Sequence, residues 1–200
     1  MTISLAIDTS TSRTSVAIIE LGALLWHGYR DGATSHGDAV PALVAQALQV
    51  QPLIEQVVVG MGPGPFTGLR VGIAFARTFA ISRTIAVLGV CSLDAIAAQV
   101  REEDEFIIAT DARRKEIYWA QYSYGKRIEG PSVDLPASIA QRGLPIFGEG
   151  AVKYAITKND EIQFPDLLAL VGISEDPLLR VSEPMYLRRP DAVPTNERPA

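Results

Sequence analysis

The order in which hydrophobic periodicity changes along the chain restricts its fold more than any single motif. Ile3, Leu5 and Ile7 alternate with Ser4 and Ala6, so residues 2–7 read as a strand. The polar cluster Asp8-Thr9-Ser10-Thr11-Ser12 turns the chain. Residues 14–20 read as a second strand, Gly22 as a turn and residues 24–29 as a third strand, an antiparallel meander. The period then changes. Val40, Leu43, Val44, Ala47 and Leu48 recur at helical spacing. That helix is expected to start near Asp38, with Ser35 or Asp38 as its cap and Pro41 in its first turn. A strand at 55–60, a Gly62-Pro63-Gly64-Pro65 loop and a helix at 67–82 capped by Thr67 follow. Next come a strand at 84–90 and a helix at 92–101 capped by Ser92.

The charge run 101–105 separates this group from a second one. There the patterns predict strands at 106–111 and 116–122 around a turn at 112–115. A helix at 136–142, a short strand at 146–147, a helix at 165–170 and a last strand at 185–187 complete it. The expected organisation is a first lobe over 1–103, a shorter second lobe over 104–190 and a tail over 191–200.

With 48% hydrophobic and 20% charged residues among 200, the chain has an ordinary globular composition. A chain of this length buries about 70% of its unfolded surface and needs no disulfide. Its single cysteine, Cys91, permits none internally and suggests a cytoplasmic protein with a buried thiol. The first residues lack a signal peptide's basic region, and no apolar run approaches the roughly 20 residues of a membrane span. The net charge of −5 argues against a chain that coats nucleic acid by itself. Work on a nucleic acid would run through a partner.

Five features bear on chemistry. Asp8, Thr9 and Ser10 end a buried strand, where backbone N–H groups and hydroxyls can cradle phosphate; a hydrogen-bonded turn closing the hairpin is the plainer reading. Gly62 and Gly64 belong to a glycine-rich strand-to-helix loop that suits an anion, but the loop is neither a P-loop nor the dinucleotide fingerprint. A tight structural turn remains open. The helix after it is apolar nearly all round. Leu69, Ile73, Ala76 and Ala80 can pack on its own sheet, leaving Val71, Ala74, Phe75 and Phe79 for a partner. The two histidines, His27 and His36, form no metal-binding pair. Arg113, Arg114 and Lys115 put three cations in one hairpin turn, where RNA, a phosphate or a salt bridge to Glu116 could engage them.

Six segments in order resemble the TsaB family, formerly called YeaZ. They are Ala-Ile-Asp-Thr-Ser-Thr at 6–11, Ser-Val-Ala at 15–17 and Gly-Pro-Gly-Pro-Phe-Thr-Gly-Leu-Arg-Val-Gly at 62–72. Gly-Val-Cys-Ser-Leu-Asp-Ala at 89–95, Asp-Ala-Arg-Arg-Lys-Glu-Ile-Tyr at 111–118 and Pro-Met-Tyr-Leu-Arg at 184–188 complete the set. The resemblance implies an α/β chain with the two-lobe actin-like ATPase (ribonuclease H-like) fold, its mixed sheets flanked by helices. It also implies a non-catalytic partner of TsaD in the bacterial machinery that attaches a threonylcarbamoyl group to tRNA. The modified adenosine lies next to the anticodon in tRNAs reading codons that begin with A. In that machinery TsaD transfers the group with a metal held by a His-x-x-x-His helix, and TsaE is an ATPase that binds the TsaB–TsaD complex.

Pairing with TsaD, or with a second copy, through the first two helices puts Val40, Leu43, Val44, Ala47, Arg70, Val71, Ala74, Phe75, Arg77 and Phe79 at the partner interface. The resemblance makes Asp8, Thr9, Ser10, Gly62 and Gly64 the vestige of a phosphate loop. ATP or ADP would then be at most a ligand of the complex, not hydrolysed by this chain. Contact with tRNA is indirect, with Arg113, Arg114 and Lys115 as the candidates for a direct one. Val40 stands where the second metal histidine would be, so no metal is expected. Pro65 departs from the small polar residue usual in the family, and the short second lobe bears on any contact with TsaE. The alternative is a nucleotide-binding phosphotransferase of the same superfamily, using Asp8–Ser10 and the Gly62–Gly64 loop.

Overall fold

The computed structural model describes residues 2–32, 34–101, 103–157 and 159–188; the expected tail at 191–200 lies outside them. The first sheet opens with β1 (Ile3–Asp8), β2 (Arg13–Glu20) and β3 (Ala23–Asp31), paired antiparallel. After α1 (His36–Val50), β4 (Gln56–Gly60) pairs parallel with β1; after α2 (Phe66–Arg83), β5 (Ala86–Val90) pairs parallel with β4. The order across the sheet is β3-β2-β1-β4-β5. Alternate residues face opposite sides. Leu5, Ile7, Val16, Ile18, Val57 and Val59 form one core cluster with α1 and α2. Ala6, Ala17, Ile19 and Val58 belong to another on the opposite side. Central strands that are apolar on both faces need cover on both.

Helix starts differ from the expected ones for local reasons. α1 begins at His36, so Pro41 lies in the helix interior rather than its first turn. Pro41 has no N–H for the Gly37 carbonyl, and Gly37 is exposed, so water can take that acceptor. Ser35 flanks α1 but gives its hydroxyl to the Gly32 carbonyl at 2.7 Å. α2 is preceded by Pro65, and Thr67 sits exposed in its first turn without capping it. α3 (Ser92–Ala97) stops short of residue 101 and includes Ser92, whose hydroxyl is used elsewhere.

The second sheet repeats the plan of meander, helix and parallel strand. It comprises β6 (Glu105–Asp111), β7 (Ile117–Ser123), β8 (Lys126–Asp134), α4 (Pro136–Ala140) and β9 (Ile146–Phe147), in the order β8-β7-β6-β9. α5 (Glu149–Lys153) follows. β8 carries no clear apolar alternation because it is a mostly exposed edge strand with Pro131 inside it.

α6 (Leu167–Ser174) starts where Asp166 Oδ1 accepts the Ala169 N–H at 2.8 Å. Its Leu167, Leu170 and Val171 cover Ala6, Ala17, Ile19 and Val58 of the first sheet. This corrects the expected lobe division: the sheets separate between residues 90 and 105, but α6 belongs with the first sheet. α3 packs on β6 and β7, so Cys91, Leu93 and Ile96 form one cluster with Phe106, Ile108 and Tyr122. No strand forms at 185–187. The segment instead runs along the first lobe, with Val181 N–H on the Gly89 carbonyl at 2.9 Å and Met185 N–H on the Met61 carbonyl at 2.8 Å. Arg188 then reaches the Ala112 carbonyl at 2.9 Å and the Glu116 carboxylate. Among the described residues no helix is long and apolar enough to cross a membrane.

Replacing fully buried Leu170 with alanine is expected to cost about 2–5 kcal/mol. Urea unfolding followed by fluorescence and far-UV circular dichroism checks this, and both probes are expected to report one shifted transition.

Candidate functional site

β1 and β4 run parallel side by side, so the turn after β1 and the loop after β4 meet. Asp8 sits buried at that meeting point. Its Oδ1 accepts the Ser10 N–H at 2.9 Å and the Ser10 hydroxyl at 2.8 Å, and its Oδ2 accepts the Ser92 hydroxyl at 2.6 Å. Burial pushes the Asp8 carboxyl above its usual range, opposed by the hydrogen bonds from Ser92 and Ser10. The Thr9 hydroxyl donates to the Gly68 carbonyl at 2.8 Å, and Gly62 N–H donates to Ser92 Oγ at 3.3 Å.

Three glycines permit this closeness. A Cβ on Gly60 would collide with Asp8 Oδ2, and one on Gly72 with Thr9 Oγ1. One on Gly64 would lie 2.6 Å from the Ser10 carbonyl oxygen. Thr9, Ser10, Gly62 and Gly64 are all buried. The Thr9 and Ser10 hydroxyls and the Ser10 and Gly62 N–H groups are spent inside the chain, and the Ser10 backbone lies where a Cβ on Gly64 would be. As packed, Asp8, Thr9, Ser10, Gly62 and Gly64 leave no room for a phosphate group. His36 is equally occupied: its Nδ1 lies 2.7 Å from Thr14 Oγ1, and Val40 one turn on is in the core. Among the described residues no group of three or more His, Cys, Asp or Glu side chains gathers as metal ligands.

The expected partner interface separates into two sets. Val40, Leu43, Val44 and Ala47 are buried in the chain's own core, so they offer a partner no area. The stripe that marks α1 as a helix is the stripe that faces its sheet; Pro41, Ala45, Gln46 and Gln49 point outward. On α2, Leu69, Ile73, Ala76 and Ala80 face inward as expected. Arg70 and Ala74 are exposed, while Val71, Phe75 and Phe79 are half-buried along the edge of the core. The Phe75 and Phe79 rings stack 6.1 Å apart. Ile81, 79% exposed, lies seven residues beyond Ala74 and therefore on the same face; that spacing was the signal for it. Arg70 lies over the Phe66 ring and Arg83 over Phe79. Arg77, expected to meet a partner carboxylate, donates to the Ser182 carbonyl at 3.2 Å.

The two lobes meet through polar contacts that no sequence spacing announces. Glu149 accepts the Ser12 N–H at 3.1 Å and also the Ser12 hydroxyl. Between α3 and the second sheet, the Tyr122 hydroxyl donates to Asp94 Oδ1 at 2.7 Å and Arg127 lies 3.7 Å from Asp94 Oδ2. Cys91 beside them is buried, with its thiol pushed up to about 12.

Asp111, at the end of β6 as Asp8 is at the end of β1, accepts the Arg113 N–H at 3.1 Å, the Tyr154 hydroxyl at 3.1 Å and Lys153 Nζ at 2.6 Å. The turn above it holds Arg113, Arg114 and Lys115 all left-handed, at φ 63°, 51° and 64°. For side chains with a Cβ this costs roughly 1–2 kcal/mol each. All three are exposed. Glu116 at the end of the turn pairs with Arg188. A separate cleft of about 790 Å³ beside β9, bordered by Val100, Leu144, Ile156 and Ile162, includes none of the candidate residues.

The model of the TsaD family, described as tRNA N6-adenosine threonylcarbamoyltransferase, matches residues 31–178. The Bacillus subtilis tRNA threonylcarbamoyladenosine biosynthesis protein TsaB is 33% identical over 125 residues, which span 60% of this chain and 55% of that protein. The chain belongs to this family, on its TsaB (YeaZ) branch. An uncharacterized protein of Mycobacterium tuberculosis is 39% identical over 204 residues, 95% of this chain and 93% of its own. A Pseudomonas aeruginosa structure described as similar to peptidase YEAZ superposes with a TM-score of 0.76 at 25% identity, covering 94% of this chain and all of that one. The fold is thus the two-lobe actin-like fold of the TsaB branch, with mixed sheets flanked by helices.

In the unfolded chain Asp8 ionises near 3.8, and burial raises that value in the fold. The contribution of Asp8 to stability is therefore complete below about pH 4 and is lost as pH rises through the folded value. Relative to the parent chain, Asp8→Asn is expected to gain stability as pH rises above about 4 and to level off once pH passes the folded value. Urea midpoints of both proteins across that range check the sign.

Proposed function

We propose that this chain is a non-catalytic subunit of the machinery that makes threonylcarbamoyladenosine in tRNA, docking a TsaD-type enzyme through the outer face of α2. The observation that carries this reading is that face. Ala74 and Ile81 are exposed on it, the stacked Phe75 and Phe79 edge it, and Arg70 and Arg83 border it. An apolar centre with an arginine rim suits a protein partner. A second copy of this chain is the natural occupant when the partner is absent. The name of the Bacillus subtilis relative supports the pathway. The sealed Asp8 turn weighs against the rival phosphotransferase, because the phosphate donors are already engaged. The chain is assigned no cofactor of its own, and ATP or ADP belongs to the assembled complex. TsaE is expected to engage that complex rather than this chain alone, and the cytoplasm is the expected compartment.

Phe75 is half-buried against the core, so Phe75→Asp tests docking and folding together. Ala74→Glu and Ile81→Asp are cleaner, because both side chains point to solvent in the single chain. Each is expected to weaken assembly with the TsaD-type subunit of the same organism by about 100-fold, through a carboxylate trapped in an apolar contact. Thermal melting of the variant alone is expected to be unchanged. Size-exclusion chromatography with light scattering reads the outcome, and an intact complex with both variants contradicts the proposal.

A further inference from the structure

The charge around the turn after β6 runs opposite to that of the whole chain. The chain carries 18 basic and 23 acidic residues. Around this turn stand Arg113, Arg114, Lys115, Lys153 and Arg188, against Asp111, Glu116 and Glu149. The carboxylates are held back. Asp111 is buried under the turn and engaged by Lys153, Tyr154 and the Arg113 N–H. Glu149 is buried and held by Ser12 across the lobes, and Glu116 is taken by Arg188. Arg113, Arg114 and Lys115 are exposed: the Arg113 side chain stays 48% exposed with its guanidinium 3.8 Å from Asp111, whereas Lys153 turns its Nζ onto Asp111 at 2.6 Å.

The turn is also held in shape. The Ala112 N–H donates to the Glu116 carbonyl and the Glu116 N–H to the Arg113 carbonyl, both at 2.9 Å. Three successive left-handed residues fan three cationic side chains from adjacent positions. Conformations of this kind persist where the surroundings over-determine them, and they cluster at functional sites.

We infer that Arg113, Arg114 and Lys115 form a contact for the phosphodiester backbone of RNA, so that this acidic subunit adds a local basic hold on tRNA within the complex. The inference rests on the reading of the chain as a subunit of tRNA-modifying machinery. Cations exposed on a turn, rather than lining an enclosed cavity, match a polyanion surface better than a small phosphate ester that must be surrounded. Such contacts give affinity without base specificity and weaken as salt rises.

The test is equilibrium binding of a tRNA transcript to the full chain assembled with its TsaD-type partner, at several salt concentrations. The R113Q/R114Q/K115Q variant keeps side chains no more strained at positive φ than the originals. It is expected to assemble normally, to bind tRNA at least about 10-fold more weakly at low salt, and to show a log–log salt slope shallower by about 2. Lys126→Gln, at the start of β8 and paired with the far end of β7 at Ser123, serves as a control and is expected to change neither value. Unchanged affinity and slope in the triple variant would overturn the inference. So would loss of assembly, which would make the turn a protein contact, or saturable binding of ATP or inorganic phosphate that the variant loses. If the parent chain does not assemble with the partner at all, the docking reading falls. The same titration on the chain alone then decides the RNA contact by the same criteria.

Discussion

Gly60, Gly64 and Gly72 let the β4–α2 loop and the first turns of α2 lie directly on Asp8, Thr9 and Ser10, and the orientation of α2 follows from that contact. Side chains at these positions would push α2 away from the ends of β1 and β4. With it in place, Leu69, Ile73, Ala76 and Ala80 reach the sheet, and Ala74 and Ile81 must face out. The same closeness engages the Thr9 and Ser10 hydroxyls and the Ser10 and Gly62 N–H groups inside the chain. One packing event therefore both closes the strand-end turn and turns an apolar helix face to the outside.

The buried Asp8 carboxylate sits at the centre of that event. It binds the turn after β1 through Ser10 and the start of α3 through Ser92, while Ser92 in turn accepts the Gly62 N–H. Since α3 also packs on the second sheet, the lobes are joined through a helix that this carboxylate positions. α6 and the segment after it complete the joining by returning to the first lobe and ending at the turn of the second. The basic turn is thus carried on a frame fixed relative to α2.

Much of this was legible in residue patterns. The meander, both large helices and the inward face of α2 follow from periods of 2 and 3.6. The six ordered motifs pointed to the TsaB family, and the superposition on a YeaZ-like structure has the implied fold. What periodicity misses is what depends on a neighbour. β8 is exposed and patternless because one strand pairs with it and little packs on it. Ser92 looks like a helix cap until a buried carboxylate competes for its hydroxyl. Val40, Leu43, Val44 and Ala47 face their own sheet rather than a partner, because an apolar stripe does not say which surface it covers. Ser12 and Glu149 come together only when the lobes dock, across more than 130 residues of sequence, and Lys153 meets Asp111 only when α5 packs back on β6.

Hydrogen–deuterium exchange of the full chain, free and with its TsaD-type partner, tests the docking account most directly. The account predicts that peptides spanning residues 66–83 become the most strongly protected on assembly, while those from the inward-facing strands β1 and β4 exchange slowly in both states. Protection confined to the second lobe, with α2 exchanging as it does in the free chain, would contradict it.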